Sequence, residues 1–353
     1  MKIINAIHAQ SIGGVDHVFR NYTEILSRQG HEVALLISNN GRDKYRDLDV
    51  KKIFKLKNSS QVFDFLNLLR IILLFKPDLI ICHSNRIMRW MKFLKFFTKT
   101  KSVAINHGID FKRSLHCDYV ISINQEITQM VVDNGFEKDK TFTLTNVIKV
   151  DQEYHKKTLK NPPVIAMYAR IEKRKGFDIL IQACEILKNK GQDFILKIGG
   201  FEVFQTKASE FRNPYNIKTI QDFVKAHNIE DKYKFVGTVV DKKNFFSDVD
   251  IFCMPSREEP FGLVALEGFL YSTLVISSSS VGGEMLIKDG FNGSLFEIEN
   301  PADLAEKIIA VLKNPASYET MTKNAFTRLE KEFSFDFLDQ EMSKILQKIF
   351  QNA

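Results

Sequence analysis

Apolar and polar positions along the chain fall into two successive runs of the same design. In the first, short apolar runs at 2–8, 33–38, 78–82, 102–106 and 119–123 predict strands, and the apolar spacing of 15–29, 62–75 and 125–134 predicts helices between them. A polar, lysine-bearing stretch at 151–163 closes on Pro162 and Pro163 and reads as a linker. The pattern then restarts. Strands are expected at 164–169, 194–198, 233–236, 251–254 and 274–277, and helices at 177–190, 220–227 and 303–312, while 201–219 shows no clear period. The tail places Leu338, Met342, Ile345, Leu346 and Ile349 at helical spacing. Strands alternating with helices predict parallel sheets, so the expected class is α/β with two Rossmann-like domains. Their expected bounds are 1–155 and 160–332, with a C-terminal helix at 333–353 packing back on the first domain.

Composition agrees with this picture. At 353 residues the chain is long enough for two α/β domains with full cores, and 44% hydrophobic with 26% charged residues is a globular balance. Four scattered cysteines without a C-x-x-C pair read as buried thiols of a reducing cytoplasm. The opening MKIINAIHAQ is too short in its apolar part for a signal peptide, and the apolar run at 71–75 is far short of a membrane span. A net charge of +7 favours anionic partners.

Ligands of parallel sheets bind at the carboxyl ends of the strands. In the first half His8, His83 and His107 stand at such ends, and Gly13-Gly14 follows the first strand, where glycine lets the backbone approach a ligand closely. The full G-x-G-x-x-G fingerprint is absent, so a dinucleotide is not indicated. In the second half Arg170 and Lys175 lie between a strand and a helix N-terminus, a diphosphate-binding arrangement. Lys173 and Arg174 beside them also fit a plain solvated basic turn. Glu259 and Glu267 are separated by seven residues, with a helix opening near Phe261-Gly262. Glu267 has Val264, Ala265, Leu266, Phe269 and Leu270 around it, where a carboxyl is costly to bury without a partner such as a ligand hydroxyl. Two further readings stand beside this one: Glu267 turned to solvent, and Ser256-x-x-Glu259 as a capping box. Pro260 argues for a helix that starts after it.

The segments YARIEKRKG (168–176), FVG (235–237), DIFCMPS (250–256) and EPFGLVALE (259–267), with Gly282-Gly283 behind them and Gly13-Gly14 ahead, resemble the retaining glycosyltransferases of family four. The patches at 77–84, His107-Gly108 and Asn146-Val147 extend the likeness, less specifically, over the first half. The resemblance implies the GT-B fold, two Rossmann-like domains facing across a cleft. It implies transfer of a hexose from a UDP- or GDP-sugar to a glycan or glycolipid in bacterial-type surface polysaccharide or lipopolysaccharide synthesis. It also implies roles: Arg170 and Lys175 on the donor diphosphate, Glu267 on the ribose hydroxyls, and Glu259 at the donor sugar. The N–H groups of Phe261, Gly262 and Leu263 would face sugar or phosphate, Gly14 would lie near the diphosphate, and His107 would contact the sugar at the reacting centre. The catalytic set is thus His107, Glu259, Arg170 and Lys175, with Glu259 not taken as a nucleophile. The chain departs from the family at Ala169 (commonly Gly), Gly268 (commonly Ala), Val147 after Asn146 (commonly Gly) and Glu284 directly after Gly283. The same fold also serves nucleotide-sugar 2-epimerases, and a non-catalytic nucleotide-sugar-binding protein is a third reading.

No cofactor or metal is expected. Asp248-Val249-Asp250 has the D-x-D form but precedes a buried strand, where aspartate is an ordinary boundary residue. The stretch 86–101, from Arg86 to Lys101, spaces Arg89, Lys92, Lys95 and Lys99 along one side of a helix with Trp90, Phe93 and Phe97 as aromatic anchors. That pattern predicts docking on an anionic membrane surface, hence a cytoplasmic, peripheral location. No nucleic-acid-binding motif accompanies the charge.

Overall fold

The computed structural model describes residues 1–8, 13–38, 43–56, 60–202 and 215–351. Ser11, Ile12 and most of the aperiodic 201–219 stretch lie outside the described residues. The chain divides into two compact units, Met1–Ile148 with Phe333–Ala353, and Lys149–Glu332.

The first unit runs β1 (Lys2–Ala6), α1 (Gly14–Arg28), β2 (Glu32–Ser38), β3 (Lys52–Leu56), α2 (Gln61–Phe75), β4 (Leu79–Cys82), α3 (Asn85–Leu94), β5 (Lys101–Asn106), β6 (Tyr119–Ser122), α4 (Gln125–Asp133) and β7 (Thr141–Thr143). Its strands form one parallel sheet in the order β3-β2-β1-β4-β5-β6-β7. The apolar runs are unbroken because both faces are covered. Ile3, Leu35 and Ile81 enter the core shared with α1, whereas Ile4, Ala34 and Ile80 enter the core shared with α2 and α3.

The second unit runs β8 (Val164–Arg170), α5 (Phe177–Asn189), β9 (Ile195–Phe201), α6 (Ile217–Ala226), β10 (Tyr233–Phe235), α7 (Lys242–Phe246), β11 (Ile251–Met254), α8 (Leu263–Leu270), β12 (Leu274–Ser278), α9 (Val281–Leu286), β13 (Ser294–Phe296), α10 (Pro301–Lys313) and α11 (Pro315–Glu332). Its parallel order, β10-β9-β8-β11-β12-β13, repeats the first six strands of the other sheet. The direction of winding therefore reverses between β1 and β4, and again between β8 and β11. Crevices open at such reversals, outside the carboxyl ends of the strands.

The last helix, α12 (Phe335–Gln351), belongs to the first unit. Its Leu338, Met342, Ile345 and Ile349 lie in the same core as α1, the Gln29 amide donates to Asp339 and Ser343, and Lys101 Nζ donates to the Ile349 carbonyl. The 151–163 stretch has no helix or strand and is strapped along the second unit: Gln152 donates to the Leu270 carbonyl, and Lys157 to the Phe246 carbonyl and Thr273 Oγ1.

One expected element is corrected. The helix read across 86–101 stops at Leu94, and Lys101 already opens β5, so Lys99 is off the helix. Ile87, Met88, Trp90, Met91 and Leu94 form its buried face. Trp90 is thus a core residue and not a surface anchor, while Phe93, Phe96 and Phe97 are exposed.

Leu338 is fully buried, so Leu338→Ala should destabilise the first unit by about 2–5 kcal/mol. The expected readout is a lower denaturant midpoint with a largely unchanged slope.

Candidate active site

Arg170 ends β8, and the turn after it carries Lys175 on a short 3₁₀ segment. Gly176 ends that segment at φ 74°, and a Cβ there would lie 1.9 Å from the Pro255 carbonyl oxygen. Only glycine lets this turn close against the end of β11. Arg257 then joins the two loops. Its backbone N–H donates to the Arg174 carbonyl at 2.8 Å, and its guanidinium donates to the Lys173 carbonyl and, at 2.9 and 2.7 Å, to both carboxylate oxygens of Asp178 on α5. These bonds to Asp178 hold the Arg257 pKa above its usual value. The result is that Lys175 Nζ sits 2.5 Å from Glu259 Oε2, both side chains nearly enclosed. Arg170 lies beside them, its guanidinium 2.9 Å from Glu172. Burial lowers the pKa of Lys175 and of Arg170, and the Glu259 charge opposes that shift in both.

The loop 259–262 leads into α8, which begins at Leu263 after Gly262 at φ 96°, with no side-chain cap. The capping-box reading of Ser256 therefore fails: Ser256 is buried well before the helix, its carbonyl accepting from Ser278 Oγ at 2.6 Å. The third amide of α8, that of Ala265, donates to the Gly262 carbonyl at 2.9 Å. Behind the loop, the Gly282 N–H donates to the Glu259 carbonyl at 2.7 Å. Gly268 on α8 has its own reason, since a Cβ there would lie 2.7 Å from Val275 Cγ2 on β12.

Glu267 lies one turn into α8, its side chain 22% exposed. Its Oε2 is covered and has no hydrogen-bond partner among the described residues, and burial pushes its pKa up to about 8. The nearest cation is Lys242 Nζ, 3.8 Å away and 3.9 Å above the Tyr168 ring, and burial pushes that amine down to about 8. At 3.8 Å the two groups do not satisfy each other, and burial alone governs both shifts. Lys242 escaped the sequence reading because nothing in Asp241-Lys242-Lys243 separates it from an ordinary helix start.

The D-x-D carboxylates are occupied by protein groups. Asp248 pairs with Lys197 Nζ at 2.5 Å, and the buried Asp250 accepts the Val164 N–H at 2.8 Å. Both precede β11, at the opposite edge of the sheet from Glu259.

In the first unit Gly14 opens α1, and His107 follows β5. The His107 ring stacks on that of His83, which follows β4, with His83 Nδ1 3.1 Å from His107 Nε2. Burial pushes His107 down to about 4 and His83 well below its usual range, so at neutral pH the pair is uncharged and one ring donates to the other. Near it, Arg86 reaches both His8 Nε2 at 3.1 Å and Asp64 at 3.3 Å. The structure thus gathers Arg170, Lys175, Glu259, the Phe261–Gly262–Leu263 backbone and Glu267 on the carboxyl edge of the second sheet, and Gly14 and His107 on that of the first.

Residues 150–328 match the family described as Glycosyl transferases group 1, and residues 12–152 match Glycosyltransferase Family 4. The chain belongs to the Glycosyl transferases group 1 family. It is a glycosyltransferase of the GT-B fold. Among its relatives, the capsular polysaccharide biosynthesis glycosyltransferase CapM of Staphylococcus aureus is 23% identical over 98% of this chain and 97% of its own length. The lipopolysaccharide core biosynthesis glycosyltransferase LpsE of Rhizobium meliloti is 23% identical over 98% and 99%. Anabaena Alr3699/HepE, solved in complex with UDP-glucose, superposes with a TM-score of 0.81 at 18% identity, covering 98% of this chain and 99% of that one.

The buried carboxyl of this glycosyltransferase gives a pH signature. The unfolded state releases the Glu267 proton near pH 4.5, whereas the ligand-free fold keeps it to about 8, so unfolding releases a proton and stability falls as pH rises across that window. Glu267→Gln should remove this contribution: the melting temperature of the variant should gain on the wild type from pH 5 to 8, as read by scanning calorimetry.

Proposed function

We propose that this glycosyltransferase moves a hexose from a UDP- or GDP-sugar to a glycan or glycolipid acceptor, retaining the anomeric configuration and using no metal. The observation that carries this reading is the convergence of Arg170 and Lys175 with Glu259 on the strand edge where Glu267 keeps an unpartnered carboxyl oxygen. Two cations suit a diphosphate, and a carboxyl with open acceptor capacity suits the hydroxyls of a ribose. As the bond to the anomeric carbon breaks, negative charge grows on the departing diphosphate, and Arg170 and Lys175 stabilise it where a divalent ion otherwise would. Glu259 is held by the Lys175 ammonium, which argues for a sugar-positioning role over that of a nucleophile. The N–H groups of Phe261, Gly262 and Leu263 complete the donor contacts, with Gly14 at the diphosphate and uncharged His107 at the transferred sugar.

The likeness to CapM and LpsE favours a surface polysaccharide or lipopolysaccharide acceptor, and the HepE complex favours UDP as the base-bearing carrier. A glycolipid acceptor brings the enzyme to the cytoplasmic face of a membrane, with the basic 86–101 stretch toward anionic lipid. No helix among the described residues is long and apolar enough to cross a membrane.

Turnover is tested by nucleotide release: UDP or GDP should appear only when an acceptor glycan is present, whereas release or isomerisation without acceptor speaks for an epimerase. Lys175→Ala should lower kcat by about 10²–10³-fold, the usual effect of one lost aimed donor. Wild-type turnover in that variant overturns the diphosphate assignment. Activity should persist in EDTA, and a loss that Mg²⁺ or Mn²⁺ restores overturns metal independence.

A further inference from the structure

Helix α2 is apolar on two sides. Leu68, Ile71 and Ile72 enter the core of the first unit, yet Val62, Phe63, Leu66, Leu73 and Leu74 are 51–72% exposed. A helix covered on one side only would carry polar residues on the other. Its neighbour continues the apolar surface. Phe65 of α2 meets Phe93 of α3 edge-on at 6.4 Å, the Arg89 guanidinium of α3 donates to Gln61 of α2, and Phe96 and Phe97 stand 76% and 61% exposed just beyond α3. Leu73 and Phe97 line one groove of about 420 Å³, rimmed by Lys76, Lys99 and Lys101 with one acid, Asp78.

Charge on this surface is predominantly positive. Between 61 and 101 the chain carries eight Lys or Arg against two acids, Asp64 and Asp78. Asp64 is buried and bonded by Arg86, and Asp78 accepts the Lys2 N–H. Exposed Lys92, Lys95 and Lys99 flank the exposed phenylalanines. A twofold contact with a second copy would set this cationic rim against itself. Lysine is also depleted where proteins bury surface against one another. Apolar side chains that enter an acyl layer beneath a rim of lysines are the features of a helix lying in a lipid interface.

We propose that the outward face of α2, together with Phe96 and Phe97, is a docking surface for an anionic lipid bilayer, with α2 as its main inserted element. This moves the centre of membrane contact from the 86–101 stretch, whose Trp90 is in the core, to a helix whose sequence signals no more than a buried element. It is independent of the donor site, and its test reads binding, not turnover.

The test is co-sedimentation of the full chain with vesicles of phosphatidylcholine alone or mixed with phosphatidylglycerol. The wild type should bind the mixed vesicles, weaken as salt rises, and keep measurable binding at about 1 M salt, where charges are screened beyond about 3 Å but apolar insertion is not. The double variant Leu66→Glu with Leu74→Glu changes two exposed positions, so its melting temperature should hold while vesicle binding falls more than tenfold. Its nucleotide release with a soluble acceptor analogue should match the wild type, which separates this proposal from the donor assignment. Wild-type vesicle binding by the double variant overturns the role of α2. A wild type that ignores phosphatidylglycerol vesicles, or one that instead dimerises in sedimentation velocity through this face, overturns lipid as the occupant.

Discussion

The second unit of this enzyme is braced by one fork of hydrogen bonds. Arg257 grips Asp178 with two parallel bonds and the Lys173 carbonyl with a third, while its backbone reaches the Arg174 carbonyl. These contacts tie the loop after β11 to the loop after β8, across the reversal where a parallel sheet leaves a crevice. Bonds to charged groups contribute roughly 1.5–3 kcal/mol each, and removing one member of such a pair strands the other in a partly buried place. Lys175 and Glu259 meet because of this arrangement. Lys175 and Glu259 stand on different loops, so the bonds that join those loops help to set the geometry of the charged cluster.

Two groups beside the charged cluster carry costs that the fold itself does not recover. Glu267 keeps a covered oxygen without a partner, and Lys242 faces it from 3.8 Å with its own charge partly desolvated. A well-packed interior would replace or satisfy such groups. Their persistence on the same strand edge as two diphosphate-suited cations concentrates unmet polarity in one place. The donor proposed above offers hydroxyls and negative charge to these groups.

The central elements were legible in the sequence because burial on both faces makes them uninterrupted apolar runs: β4, β8 and β11 needed only their own residues. The elements that escaped include edge strands, a polar helix, and the short helices α7 and α9, the latter on a Gly282-Gly283 stretch that reads as a loop. Strands β7 and β13 have three residues each, and β3 and β7 are half-buried edge strands, so their apolar signal is weak. Helix α11 was there to be seen, with Tyr318, Met321, Thr322, Ala325, Phe326 and Leu329 at helical spacing, but its polar composition hid the stripe. The acid and basic pairs could be named from spacing. Arg257, Lys242 and the His83–His107 stack could not, because each is defined by a neighbour distant in sequence. The opposite error occurred at Trp90, where a basic amphipathic pattern suggested exposure and the helix turned its tryptophan inward.

The contact between Gly268 and Val275 has a consequence for how this protein varies. The space that a methyl group on α8 would occupy is filled by a valine methyl from β12. Alanine at 268 requires that β12 give way or that position 275 become smaller, and a smaller residue at 275 alone opens a void beneath the helix that carries Glu267. The two sites therefore mutate favourably only together. A chimera that takes α8 from an alanine-bearing relative and β12 from this chain inherits incompatible halves of one pairing, although each half is sound in its own background.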